Sequence, residues 1–313
     1  MNLERKSSLL IVAACLLWAM DLLVRYPVSL KMNFISIVFL ESLTGLLFVS
    51  PWLFKNFKTL MALKKRDWLI TLFIGGIGMT VAGYLQTVSI QKATPGLFSF
   101  FQIFQPLFVI YMAHLLLKEK VDNMYLYWGI WVILSAVLMF SVDLQLMFAS
   151  DFILTDMLIA LSTMLIWGLC TILGKKFLMR HSALTLVSLR WVFAFIFSGL
   201  ILLMEDESVP MEIIFQTDIA LRFIFMGAIA GILSMSLYYK GLQELPAGKV
   251  SFLEISYAAF GMIFSAIYTF ESLNFFQILG ATSFFAFIIL FLSRQESGPS
   301  SVKTGKLSPV SKF

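Results

Sequence analysis

The sequence predicts an all-α membrane protein of ten transmembrane helices arranged as two inverted five-helix repeats. Three observations carry that expectation. Apolar residues fill 60% of the 313 positions and charged residues only 13%, against roughly 45–50% and about 25% in soluble domains. A water-soluble fold has no means of covering so much apolar surface. Second, the chain divides into ten apolar stretches, each near the ~20 residues that a helix needs to cross the hydrocarbon core. Third, it is built twice. At an offset of 149, Trp18 falls on Trp167 and Ile35-Ser36-Ile37-Val38 on Leu184-Thr185-Leu186-Val187. At an offset of 152, Gly75 falls on Gly227, Gly96 on Gly248, Ser99-Phe100 on Ser251-Phe252, Ile103 on Ile255 and Glu119 on Glu271. Five spans is an odd number, so the second copy enters the bilayer with the opposite polarity. Inverted repeats of this kind imply alternating access around a site near the midplane.

In chain order the predicted spans are 8–27, 34–53, 68–89, 94–116, 123–142, 153–173, 183–204, 219–239, 246–269 and 274–293. The first needs a check, because Arg5-Lys6 ahead of Val12-Ala13-Ala14-Cys15 looks like a leader with a lipoprotein box. Only about four apolar residues precede that box, against the 7–15 of a signal-peptide core, and the apolar run continues past Cys15. It reads as a retained helix. The polar, basic stretch from Lys55 to Asp67, the corner Lys118-Glu119-Lys120 and the acidic run Glu205-Asp206-Glu207 mark boundaries. Pro95 and Pro246 sit at the starts of the fourth and ninth spans, where a missing N–H does little harm. Residues 1–147 form the first repeat in this reading and 148–294 the second. The Ser-, Gly-, Pro- and Lys-rich 295–313 reads as a disordered cytoplasmic tail.

Charge sets the expected orientation. With the N-terminus inside, 18 cations fall on the cytoplasmic side and 4 (Arg25, Lys31, Lys92 and Arg222) on the other. The positive-inside rule then places both termini in the cytoplasm of a cell whose inner membrane holds the protein. The net charge of +5 follows from that bias and argues for no nucleic-acid partner.

Charges inside spans cost roughly 2.5–3.5 kcal/mol each at a helix centre on insertion scales, so each calls for a role. Glu41 and Arg190 occupy equivalent positions, each ~12 Å from its own face at 1.5 Å per residue. They are expected to meet across the midplane, either as a structural ion pair or as a pair that opens to hold a carboxylate on Arg190 and an amine on Glu41. Glu254 corresponds to Gln102. Spacing of three puts Gln102 with Gln105, and Glu254 with Tyr257, on single helix faces, where they would line one cavity. A carboxyl held there is expected to load a proton or to bind a cation or counter-substrate; a helix–helix hydrogen bond is the plainer alternative. Asp21 lies four residues ahead of Arg25, the spacing of a helical ion pair or gate. Trp18, Trp167, Tyr238, Tyr239 and Tyr257 are candidates to wall an aromatic pocket, suited to cation–π contact with an amine. Three acids against one base favour a cationic or zwitterionic ligand. The glycines at 75, 76, 78 and 83 read as close-packing positions. Cys15, Cys170, His114 and His181 lack ligand spacing, so neither a metal nor a cofactor is expected, and no nucleophile–base pair indicates an enzyme.

Tyr84-Leu85-Gln86 leading to Pro95-Gly96, then Gln105-Pro106-Leu107-Phe108 and Leu116-Leu117-Lys118-Glu119, form an ordered series. It recurs as Tyr238-Tyr239-Lys240-Gly241-Leu242, Pro246-Ala247-Gly248 and Phe270-Glu271. Over residues 8 to about 293 this pattern resembles the EamA-like branch of the drug/metabolite transporter (DMT) superfamily. The resemblance implies a secondary exporter or exchanger of amino acids or related amines, with a cavity between the halves to which Gln86 also belongs. Where that family often carries Glu-Pro, this chain has Gln105-Pro106 and Tyr257-Ala258. A membrane scaffold, a receptor or a lipid-modifying protein are the alternatives; none of them needs doubled midplane polar residues.

Overall fold

The computed structural model describes residues 2–92, 100–121, 123–142, 145, 154–205, 211–214, 216–269 and 272–294. Pro95, Gly96, Ser99, Asp206, Glu207, Glu271, the boundary at 147/148 and the tail 295–313 lie outside them. The protein is all-α and crosses the membrane many times. Among the described residues nine helices are long and apolar enough to span a bilayer, and a shorter apolar helix joins them.

The first helix, α1, runs Leu3–Ser29 and α2 runs Phe34–Lys55. The third, α3, is continuous through Lys65–Leu72, a π-helical Phe73–Val81 and Ala82–Lys92. Then follow α4 (Phe100–Leu117), α5 (Asn123–Met139), α6 (Leu154–Leu178) and α7 (Ala183–Met204). The eighth, α8, comprises Thr217–Ile224, a π-helical Phe225–Leu233 and Ser234–Glu244. Next, α9 joins Ala247–Glu254 to Ser256–Thr269, and α10 is Phe275–Arg294. Short helices lie at Phe57–Met61 and Met211–Ile214.

Local chemistry explains several of these boundaries. Asn33 caps α2 by accepting from the Ser36 N–H at 2.9 Å, and Ser182 caps α7 through the Thr185 N–H at 3.2 Å. Each cap satisfies a helix-start donor that would otherwise be unpaired. The two caps lie 149 residues apart, as do the starts of α2 and α7; the two π-helical segments start 152 apart. At the charged corner, Lys118 ends α4 in the left-handed region, φ 58°. Two expected boundaries move. The helix of α3 begins at Lys65, so Asp67 sits in its first turn at 1% exposure and not in a loop. The fifth span shortens to 17 residues, or ~26 Å at 1.5 Å per residue.

Every principal packing contact joins a helix before residue 147 to one after it. The close partners are α2 with α7, α5 with α10, α4 with α9, α1 with α8 and α9, and α3 with α6 and α7. Glycine permits two of these approaches. A Cβ on Gly75 would stand 2.5 Å from the Arg190 carbonyl oxygen, and one on Gly280 would stand 2.5 Å from the Met139 nitrogen. In both places backbone meets backbone, which is how membrane helices gain dispersion energy without a solvent-driven term. The resulting core centres on large fully buried side chains such as Trp191, Phe177, Phe252 and Phe287.

Candidate functional site

Between these two sets of helices lies a cavity of about 290 Å³, near the lower bound of about 300 Å³ for ligand pockets. All twelve residues singled out from the sequence as binding or gating positions line it: Trp18, Asp21, Arg25, Glu41, Gln86, Gln102, Gln105, Trp167, Arg190, Tyr239, Glu254 and Tyr257. Two interrupted helices shape it. In α4 the turn at Ile103–Phe104 is tight, with Ile103 and Phe104 donating to the carbonyls of Phe100 and Phe101. Pro106 follows and has no N–H for the Gln102 carbonyl. In α9 the helix breaks at Ile255, 152 residues after Ile103. Discontinuous helices of this sort deliver side chains and loose backbone groups to midplane sites.

Glu254 is the last residue before the α9 break. One of its oxygens, Oε1, accepts from the Tyr238 hydroxyl and from Thr171 Oγ1 at 3.4 Å. The other, Oε2, accepts from Gln105 Nε2 at 2.6 Å. Thr171 and Tyr238 also touch each other at 2.9 Å. The carboxyl is therefore held by three neutral donors, one of them from the other half of the chain.

A second acidic group is organised differently. Arg25 Nε donates to Asp21 Oδ2 and Arg25 Nη2 to Glu41 Oε2, both at 2.8 Å. Helical spacing accounts for the first contact, and the packing of α2 on α1 for the second. The expected Glu41–Arg190 pair is thus replaced: the nearer cation, Arg25, takes Glu41. Arg190 donates instead to Met235 Sδ at 3.1 Å and the Tyr239 hydroxyl at 3.4 Å. Among the described residues it has no carboxylate partner. Its Nε, together with Gln102 Nε2, Trp191 Nε1 and Asp21 Oδ1, is buried without a hydrogen bond. That leaves three donors and one acceptor of the cavity lining unsatisfied, an arrangement that costs free energy unless a ligand or water completes it.

The aromatic wall has measurable geometry. Trp18 and Tyr238 stand 5.3 Å apart at 51°, and Tyr238 and Tyr239 are 5.4 Å apart at 56°. Trp167 donates its Nε1–H to the Gly78 carbonyl at 3.0 Å, a group in the π-helical stretch of α3. Gln86 reaches the Tyr257 hydroxyl from the same helix. Sequence reasoning missed Thr171 and Trp191. The first lies one helical turn after Trp167 and the second directly after Arg190, so neighbours of residues already singled out were the available signal.

The described residues contain no cluster of three or more His, Cys, Asp or Glu able to hold a metal ion. The EamA-like transporter family profile matches twice, over residues 5–142 and 154–293. The riboflavin transporter ImpX of Fusobacterium nucleatum subsp. nucleatum is 30% identical over 194 residues, which is 60% of this chain and 64% of that protein. The match thus spans just under two thirds of that curated relative. A solved crystal structure aligns with TM-score 0.72 over 93% of this chain and 99% of its own, at 12% identity, which shows a shared fold. With most of its length matched twice over, the chain belongs to the EamA-like transporter family.

Proposed function

We propose that this protein is a secondary transporter, exporter or exchanger, of a small amphipathic metabolite. It works by alternating access between two inverted five-helix copies, 1–147 and 148–294. Supporting the two-copy reading are the doubled family match, the offsets of 149 and 152 between helix starts, and a packing scheme in which α2–α7, α4–α9 and α5–α10 each join equivalent helices. Asn123–Met139 serves as the span that completes ten. The charge bias favours an inner-membrane location with both termini, and the tail 295–313, on the cytoplasmic side.

The observation that carries the proposal is the polar cavity at the meeting of the copies, bounded by Glu254, Gln102, Gln105 and Arg190. Its chemistry narrows the cargo. Asp21 and Glu41 are already engaged by Arg25, and Glu254 by Tyr238, Thr171 and Gln105. What stays open is a set of donors beside aromatic rings. A planar, acceptor-rich heteroaromatic compound fits that lining best, and a relative named as a riboflavin transporter supports a flavin-like cargo. Amino acids or related amines form the second reading, kept by one observation: the lack of a carboxylate partner for Arg190 suits a cargo carboxylate. Glu254 is the group assigned to proton or counter-substrate coupling.

Counterflow in proteoliposomes tests both readings. Vesicles preloaded with riboflavin should accumulate labelled riboflavin, and preloading with amino acids should not drive it. Exchange confined to amino acids and abolished by Arg190→Met would favour the second reading. A flavin bound at 100 times its dissociation constant should also raise stability by ~2.7 kcal/mol in detergent. Absence of both exchange and stabilisation across the panel removes the transport proposal.

A further inference from the structure

Two ion pairs at opposite ends of the helix bundle are built to one plan. The turn between α1 and α2 carries Lys31, and the turn between α6 and α7 carries Arg180, 149 residues later. The first turns of α3 and α8 carry Asp67 and Asp218 as their third and second residues. In each case the cation of one half meets the acid of the other. Arg180 Nη2 lies 2.8 Å from Asp67 Oδ1 as an ion pair without hydrogen-bond alignment, and His181 Nε2 holds Oδ2 at 3.1 Å. Lys31 Nζ lies 3.9 Å from Asp218 Oδ2, at the outer edge of an ion pair. The Asp67 side chain is 1% exposed and the Asp218 side chain 60%. One pair is tight and dry, its counterpart slack and wet.

The cavity is asymmetric in the same sense. Arg25 and Phe34, at the Lys31 end, line it; their counterparts 149 residues on, Gly174 and Ala183 at the Arg180 end, do not. Along α3 the lining starts at Gly78, 11 residues past Asp67, or ~16 Å of helix. Further cross-half contacts reinforce the sealed end. Glu119 accepts from the N–H groups of Ala247 and Gly248 at 2.9 and 3.3 Å, and Lys249 pairs with Glu4.

We propose that Asp67–Arg180/His181 and Lys31–Asp218 are a reciprocal pair of gates, the first locked and the second released in this conformation. Exchange of access then consists of parting Asp67 from Arg180 and drawing Lys31 onto Asp218. The gates are unequal, because His181 has Met32 as its counterpart. The locked end therefore holds the resting state. This inference rests on the alternating-access reading above.

Cys170 lines the cavity while Cys15 is fully buried, so Cys170 is a native reporter of access, with Cys170→Ser as the labelling control. In sealed vesicles an impermeant maleimide should label wild-type protein from the Lys31 side only. Asp67→Asn should raise labelling from the Arg180 side on the order of tenfold, and Arg180→Gln by less, since His181 still holds Asp67. Asp218→Asn should leave resting labelling unchanged and slow counterflow several-fold. Should Asp67→Asn fail to fold, Arg180→Gln, at a side chain 38% exposed, carries the test. Unchanged sidedness in the folded gate variants, with counterflow intact, overturns the gates and leaves transport standing. Equal labelling of wild type from both sides overturns alternating access itself.

Discussion

The Arg25 cluster and the Glu254 network sit in one cavity and solve one problem in opposite ways. Each keeps carboxyl groups within the membrane span, where an uncompensated charge is costly. Around Arg25 the answer is counter-charge, with one guanidinium shared by Asp21 and Glu41 at 2.8 Å each. Around Glu254 the answer is three neutral donors and no cation. The difference matters for function. An ion pair locks its acids in the charged form and loses heavily when either partner is removed. A carboxyl held by hydroxyls and an amide can exchange its charge with a proton or a cargo while the donors rearrange around it. The first arrangement reads as scaffold, the second as working part.

Arg25→Met should break the comparison most severely. It leaves two acids facing each other, and loss of a partner from a buried ion pair costs ~3–5 kcal/mol. Because the Arg25 side chain keeps 25% exposure, the lower end of that range is expected. Thermal unfolding in detergent should show it, and adding Glu41→Gln should restore part of the loss. Tyr238→Phe comes next. It deletes the donor shared by Glu254 and Thr171, at a cost of ~1–2 kcal/mol for a hydrogen bond to a charged group. The same unfolding assay reads it, and no change would mean that the hydroxyl contributes nothing there.

Glu254→Gln sharpens the contrast from the other direction. Stability should shift by under ~1 kcal/mol, since the amide carbonyl still accepts one donor, while counterflow falls and loses its dependence on pH. Normal transport with normal pH dependence would remove Glu254 from the coupling role. Thr171→Val is the smallest change, ~0.6 kcal/mol for a single hydrogen bond between membrane helices. Its expected signature is a modest loss of stability with transport retained.

Particular residues show how much of this was legible in advance. Trp18 and Trp167, Gly75 and Gly227, Ile103 and Ile255 identify the duplication in the bare sequence, and the helix starts keep the same offsets. Gln102, Gln105, Glu254 and Tyr257 were placed in one cavity by helical spacing alone, and all four line it. Glu41 shows where such reasoning ends. Its depth was readable and matched that of Arg190, yet Arg25 takes it. Asp67 shows the same for a boundary: the basic residues around it read as a loop, whereas the helix starts two residues earlier and buries it.

What the sequence determined by itself is class and depth. Apolar run lengths demand a bilayer, and a rise of ~1.5 Å per residue converts position in a span into height above the midplane. Partner choice came only from the tertiary structure. It depends on the rotation of each helix about its own axis and on which helices lie adjacent. Both are settled by close contacts such as Gly75 against the backbone at Arg190 and Gly280 against α5. Those contacts join positions more than a hundred residues apart. Nothing in local hydropathy or spacing encodes them, so the pairing of Arg25 with Glu41, and the isolation of Arg190 from any acid, emerge only when the helices pack.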